Sequence, residues 1–574
     1  MRQHLSKIDP NIWLVIAFSV FAWAPLLTPA YFFNAHDARH SVFFLVEFDQ
    51  TFRDGYLWPR WSPDFSFGYG YPLFNLYAPL AFYAAELFHL MGFSLTAAVK
   101  AVYILATIVA GLSMYGFAHR LFGRGAGLLA AVVYMYVPFH LVEIYVRSAY
   151  AEFVSLAVVP FIFWAFTELI AAPNRRRVAA AAFTYGILAL THHTSFFTFT
   201  PFLIIYILYL ILAKSRLNVV AFVKYAMYAA AAGILGIMLA AIYLIPVLAE
   251  TRYIKVEQWT SGSYNYLQHF VYFSQFLEEN WGYGYAGVGT QDDFSFQLGI
   301  VIFCLVVFTL VLSVMHPYKH RNTAVFFMVS TLVAVLLMSP LAETVWQIIP
   351  IASLVQFPWR MLVITAFSMS IVCGALIPSI TSHKSQIADY NFYLLSFVVI
   401  LGSFAYTLPQ YTDIPAWAET PLAVINWDRA SIVDRVGMVS VTDEQPQTGP
   451  MEQQYLNGDP LITAGIIAGE GTLEMLHHGG ASDKVKIVAD TPVTLQFYTY
   501  DYPGWQVTLN GDPLPHRYEP PYGLITVDVP AGNHEVYLQM GSTLARTIGV
   551  MFSGLALLLI LILAFAPKLP FSKN

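Results

Sequence analysis

The chain has 574 residues, of which 57% are hydrophobic and only 11% are charged, with a net charge of −6. Soluble domains carry about 25% charged residues, so this composition and the mean hydropathy of +0.59 indicate a membrane protein with many spans. The continuous apolar runs exclude a transmembrane β-barrel, and the acidic balance offers no overall basic surface to nucleic acid.

The first 27 residues, "MRQHLSKIDPNIWLVIAFSVFAWAPLL", combine a basic head with an apolar run and lack a convincing cleavage site. We therefore expect an uncleaved first span. About 20 apolar residues cross a bilayer, and about twelve runs qualify on this basis. They are 11–30, 96–118, 126–145, 152–172, 178–191, 196–213, 219–248, 298–315, 323–341, 360–380, 391–409 and 546–566.

Lysines and arginines near the span ends set the orientation. Placing the N-terminus in the cytoplasm puts most of the short basic loops there as well. These loops carry Arg2 and Lys7; Arg120 and Arg124; Arg175, Arg176 and Arg177; Lys214 and Arg216; Lys319 and Arg321; Lys384; and Lys568 and Lys573. Both termini are then cytoplasmic, and four large pieces lie outside: 31–95, 249–297, 342–359 and 410–545.

One apolar stretch, Asn75–Phe93, contradicts this orientation if it crosses the membrane. It also contains Pro79, Glu86 and His89. We interpret it as an amphipathic or re-entrant helix at the outer interface. The two cysteines, Cys304 and Cys373, both lie in apolar runs, which argues against a disulfide framework or a thiolate metal cluster.

The first external loop begins with a dense group of charges, "AHDARHSVFFLVEFDQTFRDGYLWPRW" at 35–61. Asp37 follows the first span closely, so its carboxylate is expected just outside the bilayer, where it can act as a general base. Arg39 and His40 could bind a phosphate or tune that carboxylate. The alternative is that these charges only anchor the end of a helix.

Further cations occur at the outer ends of other spans. Arg147 lies in the second external loop close to Glu152, and Arg360 begins a span directly after Pro358-Trp359. Cations placed there can stabilise a departing phosphate. Snorkelling to lipid headgroups is the alternative for each arginine.

His192 and His193 lie where the fifth span reaches the outer face. Adjacent residues of a helix point in different directions, so we expect one structural and one functional histidine, and we retain His193 as the candidate. The acidic loop with Glu278, Glu279, Asp292 and Asp293 could bind a divalent cation, although an ordinary acidic loop explains it better.

Residues 410–545 have the pattern of a β domain. "VTLQFYTYDYPGWQVTLNGDPLPH" alternates around Asn510-Gly511, a strong hairpin signal. "YGLITVDVPAGNHEVYLQM" repeats the pattern around residues 530–533. We expect a sandwich-like domain that is less regular up to about Glu470. It lies between a membrane domain, 1–409, and a last span with a short tail, 546–574.

Several stretches together resemble a known family. They are "HDARH…FDQTFRDGYLWPRWSPDFSFGYGYPLFNLYAPLAFY", "VEIYVRSAYAEFVSLAVVPF", "LVQFPWRML", "YDYPGWQVTLNG" and "YGLITVDVPAGNHEV". The chain resembles, over nearly its whole length, bacterial membrane proteins catalogued as 6-pyruvoyl-tetrahydropterin-synthase-related. These are relatives of the YfhO group within the GT-C glycosyltransferase superfamily. Nothing in the chain resembles the zinc histidines of the soluble pterin enzyme.

The resemblance implies a GT-C-like helical fold of about twelve spans in the bacterial cytoplasmic membrane. It also implies transfer of a sugar from a polyprenyl-phosphate donor to a glycan, lipid or protein acceptor on the outer face, with Asp37 as the base. Arg39, His40, Arg147, Glu152, His193 and Arg360 are then the candidates for binding the substrate or the lipid phosphate. The sugar, the stereochemistry and a role for a divalent cation stay open, and no further cofactor is assigned.

Two other functions remain as alternatives. A non-catalytic GT-C-like scaffold or accessory subunit would keep the fold and present the 410–545 domain. A transporter of lipid-linked sugars would place charges at mid-depth in its spans and show internal repeats. The sequence shows few such charges and no obvious repeat, so the transporter is the least favoured of the three.

Overall fold

The computed structural model describes residues 9–349, 355–381, 391–430 and 438–566. Arg2, Lys7, Lys384, Lys568 and Lys573, which served to orient the chain, lie outside these ranges. The α-helices are α1 (Pro10–Trp23), α2 (Ala38–Arg53), α3 (Leu73–Leu76), α4 (Leu80–Leu90), α5 (Leu95–Phe122), α6 (Arg124–Tyr136), α7 (Pro138–Tyr145), α8 (Tyr150–Ala171), α9 (Arg175–Thr191), α10 (His193–Ser215), α11 (Val219–Leu239), α12 (Ala241–Glu250), α13 (Ile300–Met315), α14 (Arg321–Met338), α15 (Glu343–Ile348), α16 (Leu362–Thr381), α17 (Asn391–Ser403), α18 (Leu422–Ala430), α19 (Glu452–Asn457) and α20 (Leu544–Phe565).

Short 3-10 helices extend or join these elements. They are Ala24–Leu27, Thr251–Tyr253, Val256–Trp259, Gly262–Tyr264, Tyr266–Gln268, Phe273–Phe276, Pro340–Ala342, Pro358–Met361 and Phe404–Thr407. Five of them lie in the loop between α12 and α13.

The membrane part is mostly helical. Within the described ranges, eight helical segments are long and apolar enough to cross a bilayer, and α6 with α7 adds a ninth if the pair is one span. That pair is bent by 41° at Val137, because the residue before a proline avoids the helical conformation and Pro138 cannot donate a backbone hydrogen bond. The predicted span 126–145 is therefore broken. The predicted spans 298–315 and 391–409 fall on shorter apolar helices.

The stretch interpreted as an interfacial helix contains α4. This helix begins after Pro79 and is followed by Gly92, whose φ of +100° suits a residue without a side chain. Its Ala81, Phe82 and Ala85 are buried, whereas Leu87 and Leu90 are exposed. At 11 residues it is shorter than a bilayer crossing requires.

Nine strands within the described ranges form two antiparallel sheets. The strands are β1 (Ala464–Ala468), β2 (Gly471–His478), β3 (Ser482–Ala489), β4 (Val493–Tyr500), β5 (Trp505–Leu509), β6 (Asp512–Leu514), β7 (Arg517–Glu519), β8 (Leu524–Val529) and β9 (Gly532–Met540). One sheet has the order β1-β4-β8-β7, and the other has the order β2-β3-β9-β5-β6. Before β1, the described part of the C-terminal region contains only the short helices α18 and α19.

The hairpin predicted at Asn510-Gly511 is present. Leu509 pairs with Asp512, and both turn residues have positive φ, 52° and 95°, as a two-residue primed turn requires. The second predicted turn does not make a hairpin. β8 pairs with β4 and β7, whereas β9 pairs with β3 and β5, so residues 530–531 cross between the sheets.

Two buried acids attach the first external loop to the C-terminal region. Asp54, at the end of α2, accepts hydrogen bonds from the Ala481 backbone N–H (2.9 Å) and from the Ser482 hydroxyl (2.9 Å). Asp64 accepts from Gln50 and from the Tyr455 hydroxyl. The bonds to Ala481, Ser482 and Tyr455 fix the loop against elements more than 380 residues away along the chain.

Candidate active site

The candidate site is built where the start of the first external loop meets the connection between α7 and α8. The His36 backbone N–H donates to the Val146 carbonyl (3.1 Å), and that of Asp37 donates to the Arg147 carbonyl (2.7 Å). These two bonds fix the first turn of α2 beside Arg147. Asp37 is the residue that precedes α2, and its side chain makes no capping hydrogen bond to that helix.

Ser148 holds the α7–α8 connection in place. Its φ of 52° lies in the left-handed region, which non-glycine residues rarely adopt. Its hydroxyl shares hydrogen bonds with the hydroxyls of Tyr31 (3.2 Å) and Tyr103 (3.1 Å), and its carbonyl accepts from the Ser41 hydroxyl (3.1 Å). This network stabilises the strained residue next to Arg147.

Arg147 is the centre of a buried charged cluster. Its guanidinium donates to Glu143 and to Glu152 (2.9 Å for Glu152) and lies 4.7 Å from the ring centroid of Trp359. Burial works to lower the pKa of Arg147, but the negative charges of Glu143, Glu152 and Asp37 outweigh it and raise that pKa above its usual value. Arg147 therefore stays charged and holds the acids together.

Arg360 is the second cation of the cluster. It lies in the 3-10 turn at the start of α16, where one terminal nitrogen donates to the Val355 carbonyl (2.8 Å) and to the Gln356 side chain (2.9 Å). Its Nε is 4.0 Å from Glu152 and, among the described residues, has no hydrogen-bond partner. Arg360 thus keeps one N–H group that can donate a hydrogen bond to a bound anion.

Tyr77 and the two histidines line the same region. The Tyr77 ring centroid is 5.8 Å from that of His193 and 6.2 Å from that of His192. Burial and the charges of Asp37 and Glu152 raise the pKa of the Tyr77 hydroxyl, so this hydroxyl keeps its proton. Tyr77 is not among the candidate residues that the sequence analysis selected.

The two histidines have different surroundings. His192 caps α10, and its Nδ1 is 2.9 Å from the Ser195 hydroxyl. The Nδ1 of His193 is buried and has no hydrogen-bond partner within the described part of the chain. The adjacent pair is thus divided into one histidine that caps a helix and one that faces Tyr77.

Asp37 is the accessible end of this cluster. Its side chain is 48% exposed, against 4% for Arg147, 5% for Glu152 and 13% for Arg360. His36, one residue earlier, donates to the Gly284 carbonyl (2.8 Å) and stacks on Tyr285 at 4.4 Å. Burial lowers the pKa of His36. The loop that joins α12 to α13 therefore packs beside the exposed carboxylate.

The other two predicted binding residues, Arg39 and His40, contact groups other than the buried acids of the cluster. Arg39 donates from its Nε to the Phe33 carbonyl (3.3 Å). His40 lies 3.9 Å from the Asp37 carboxylate, and its ring packs against Trp427 at 4.5 Å. The structure thus brings Asp37, Arg147, Glu152 and Arg360 into one charged cluster, places His193 at its edge, and leaves Arg39 outside these contacts.

Sequence reasoning missed Glu143 as the main partner of Arg147. The spacing of four residues was a usable signal, because residues i and i+4 of a helix share a face, and the arginine follows directly after α7. The contact of Arg147 with Trp359 had no signal, since more than 200 residues separate the two along the chain.

Metal binding was left open by the sequence. Within the four described ranges, no group of three or more His, Cys, Asp or Glu side chains is arranged to hold a metal ion. In the acidic loop, Asp292 accepts hydrogen bonds from Gln275 and from the Gly287 backbone, so this carboxylate stabilises the loop itself.

Comparison with known proteins gives a family match over more than half of the chain. Residues 74–407 match the model of the 6-pyruvoyl-tetrahydropterin synthase related domain, a membrane protein family. An uncharacterised protein of Lactococcus lactis subsp. cremoris (strain MG1363) is 23% identical over 228 residues, which are 38% of this chain and 36% of that protein. The chain therefore covers about a third of the length of this relative.

Three solved structures show a distant likeness. Arabinofuranosyltransferase AftD from Mycobacteria has a TM-score of 0.41 at 13% identity, covering 71% of this chain and 29% of its own. The oligosaccharyltransferase of Archaeoglobus fulgidus has a TM-score of 0.42 at 12% identity, covering 78% and 61%. Arabinosyltransferase EmbB of Mycobacterium smegmatis has a TM-score of 0.30 at 10% identity, covering 94% and 64%.

The family match covers most of the helical part, from the loop segment that carries Tyr77 to the end of the last helix before the C-terminal region. It agrees with the resemblance seen in the quoted stretches and with the apolar helices of the structure. The chain belongs to the 6-pyruvoyl-tetrahydropterin synthase related family of membrane proteins.

Proposed function

We propose that this protein is a GT-C type membrane glycosyltransferase that moves a sugar from a polyprenyl-phosphate donor to an acceptor on the outer face of the membrane. The observation that carries the proposal is the position of a half-exposed carboxylate, Asp37, whose backbone is bonded to that of Arg147 in a buried cluster of arginines and acids. Because the Asp37 side chain is half exposed, an acceptor hydroxyl can reach its carboxylate. The buried charges fix the groups around that carboxylate.

The reaction needs a base for the acceptor. The acceptor oxygen bonds to the anomeric carbon of the sugar, the bond from that carbon to the phosphate oxygen breaks, and the acceptor proton passes to Asp37. A positioned carboxylate typically contributes 10²–10⁴-fold to such a step.

The departing group is a polyprenyl phosphate, which gains negative charge as it leaves. A cation with an unused donor at the membrane surface stabilises that charge. Arg360 fits this role, because its Nε is unpaired within the described residues and it stands at the start of a membrane-crossing segment. His193, whose Nδ1 has no partner among the residues that the structure describes, is the second candidate for the phosphate.

The topology that accompanies this function has about twelve spans in a bacterial cytoplasmic membrane, with both termini in the cytoplasm. The first external loop and the 410–545 domain, which we propose to be a β-sandwich, then face outward. Apolar helices of the described ranges coincide with eleven of the twelve predicted spans, and the exception is 178–191, which falls on α9. This agreement supports the arrangement. The partners are the lipid-linked sugar, a glycan, lipid or protein acceptor, and the membrane lipids.

A non-catalytic scaffold is the second candidate, and one observation favours it. Arg147 already donates to two carboxylates and stacks on Trp359, so one of the two cations of the cluster is occupied by the protein itself. In a scaffold, the cluster would only join the first loop to α8 and α16.

The test is turnover of a polyprenyl-phosphate sugar by the purified chain, comparing the wild type with Asp37→Asn. The amide keeps the shape of the side chain but cannot take a proton, so we expect a loss of about 10²–10⁴-fold in kcat. Asp490→Asn, at an exposed turn of the β region, is the matched control and should keep wild-type turnover.

Two results would oppose the proposal. Equal turnover by wild type and Asp37→Asn would remove Asp37 from the mechanism, and failure of every lipid-linked sugar would favour the scaffold. The assay is run with Mg²⁺ and again with EDTA. If the reaction requires a divalent cation, sugar transfer occurs only with Mg²⁺.

A further inference from the structure

The outward face of the five-stranded sheet carries an ordered row of polar side chains. Along β3 and β9 the buried residues alternate with residues that face away from the core. In the sheet register, Lys484 pairs with both His477 and Tyr537, and Tyr537 pairs in turn with Thr508. Four side chains from four neighbouring strands therefore stand side by side, with Tyr537 near the middle.

This row forms part of a cleft of about 620 Å³. Asn510, Gly511 and Glu535 complete its lining together with the four residues of the row. The volume lies within the range of small-molecule sites, roughly 300–1,000 Å³. Asn510 is fixed, because its side chain accepts from the Glu535 backbone N–H (2.9 Å) and hydrogen-bonds to the His534 ring (3.0 Å).

The charges of the lining are paired within the protein. Lys484 lies 2.7 Å from Glu535, and His477 lies 3.1 Å from Asp54 at the end of α2. The cleft therefore offers no surplus charge to a phosphate or to an acidic or basic peptide. None of the six lining side chains named above is aliphatic, which disfavours a lipid chain or an apolar peptide. Hydroxyl, amide and imidazole groups around one aromatic ring suit a neutral ligand rich in hydroxyl groups.

We propose that this cleft binds a neutral oligosaccharide, with Tyr537 as the platform for one sugar ring and the surrounding polar groups as hydrogen-bond partners. Identifying this saccharide as the acceptor rests on the proposed function, whereas the binding site itself does not. The acceptor would then be a glycan rather than a lipid or a protein.

The position of the cleft supports this identification. Asp37 precedes α2 and Asp54 follows it, so the candidate active site and the contact with His477 lie at opposite ends of one 16-residue helix. At a rise of about 1.5 Å per residue the two ends are roughly 24 Å apart. A ligand that reaches both is a chain of several sugars and not a monosaccharide.

The experiment measures binding of the full chain, in lipid nanodiscs, to a printed array of neutral and anionic bacterial oligosaccharides. We expect retention of one or more neutral oligosaccharides, with at least about tenfold weaker binding by Tyr537→Ala. Thr508→Arg, which fills the cleft from the next strand, should weaken binding to a similar degree. Tyr518→Ala, at an exposed tyrosine of the other sheet, is the matched control and should bind as the wild type does.

Binding is read without turnover, so the two proposals are separable. A chain that binds glycan but transfers no sugar would reject only the proposed function. Retention of no neutral oligosaccharide, retention of anionic ones alone, or unchanged binding by both cleft variants would overturn the cleft proposal.

Discussion

At the scale of single residues, the charged cluster around Arg147 shows how the protein holds charged and acidic side chains where they are buried. Arg147 is 4% exposed and Glu143 is fully buried. Removing one partner of such a pair costs about 3–5 kcal/mol, because the other charge is left unpaired. The two acids and Trp359 around Arg147 therefore make this residue a structural centre as well as a candidate for chemistry.

The sequence singled out three charged members of this cluster and missed Glu143 and the aromatic rings around them. Charges next to apolar runs stand out, since burying them costs free energy unless they are paired, and this pointed to Arg147, Glu152 and Arg360. Tyr77 and Trp359 could not be assigned, because aromatic residues are common at every membrane interface. Which aromatic ring faces a site depends on contacts between distant segments.

A second buried acid gives a prediction for pH dependence. Glu47 is fully buried, and its Oε2 accepts from the Asp64 backbone N–H (3.0 Å). Burial and the adjacent charge of Asp64 raise the pKa of Glu47 well above its usual value of 4.5. Above pH 4.5 the folded protein therefore holds a proton that the unfolded chain has released, so stability falls as pH rises toward the raised pKa.

We expect Glu47→Gln to lose less stability than the wild type as pH rises. The variant should therefore be more stable than the wild type on the alkaline side. The measurement is thermal unfolding in detergent across about pH 5 to 9. Glu444→Gln, at an exposed carboxylate, should keep the wild-type slope. Parallel curves for Glu47→Gln and the wild type would contradict this account.

At the scale of elements, the features that can be predicted from the sequence are those set locally by proline and glycine residues. The bend at Pro138 and the start of α4 after Pro79 follow from local rules, and so does the Asn510-Gly511 hairpin. The crossing between sheets after β8 does not, since the alternation of apolar and polar residues is the same for a strand that pairs with its neighbour in sequence and for one that does not.

The turn between β2 and β3 gives the prediction at this scale. A Cβ on Gly480 would lie 2.4 Å from the Cα of Thr51 in α2 and 2.5 Å from its backbone nitrogen. Backbone atoms cannot move aside as a flexible side chain can, so Gly480→Ala should separate the turn from the helix. We expect a loss of about 1–3 kcal/mol, seen as a lower Tm.

Gly233→Ala serves as the control, because a Cβ there meets nothing within 4 Å. It should leave Tm unchanged or raise it slightly, as alanine favours a helix. If Gly480→Ala melts with the wild type, the turn is not packed against α2 as described.

At the scale of the whole molecule, composition and apolar runs predicted a mostly helical membrane protein with a β region near the C-terminus, and the structure has both. Helix length alone does not set the number of crossings, because α13 has 16 residues and α9 has 17. Helices of this length cross where the bilayer thins or flanking residues snorkel, so loop charges are the better guide to orientation.

Orientation is tested by cysteine labelling in intact cells with a maleimide that cannot cross membranes. In a background of Cys304→Ser and Cys373→Ser, Lys486→Cys in the β region should react at once. Lys319→Cys, between α13 and α14, should react only after the cells are permeabilised. Labelling of Lys319→Cys in intact cells would reverse the proposed orientation.

The contact between Asp54 and the turn before β3 has a consequence for building chimaeras from members of this family. The carboxylate of Asp54 lies where a side chain on Gly479 would stand, and Asp64 is bonded to Tyr455. A C-terminal region taken from a distant relative would bring its own counterparts of these surfaces. Residues 51–64 should therefore be exchanged together with it, so that each transplanted C-terminal region keeps the loop segment that packs against it.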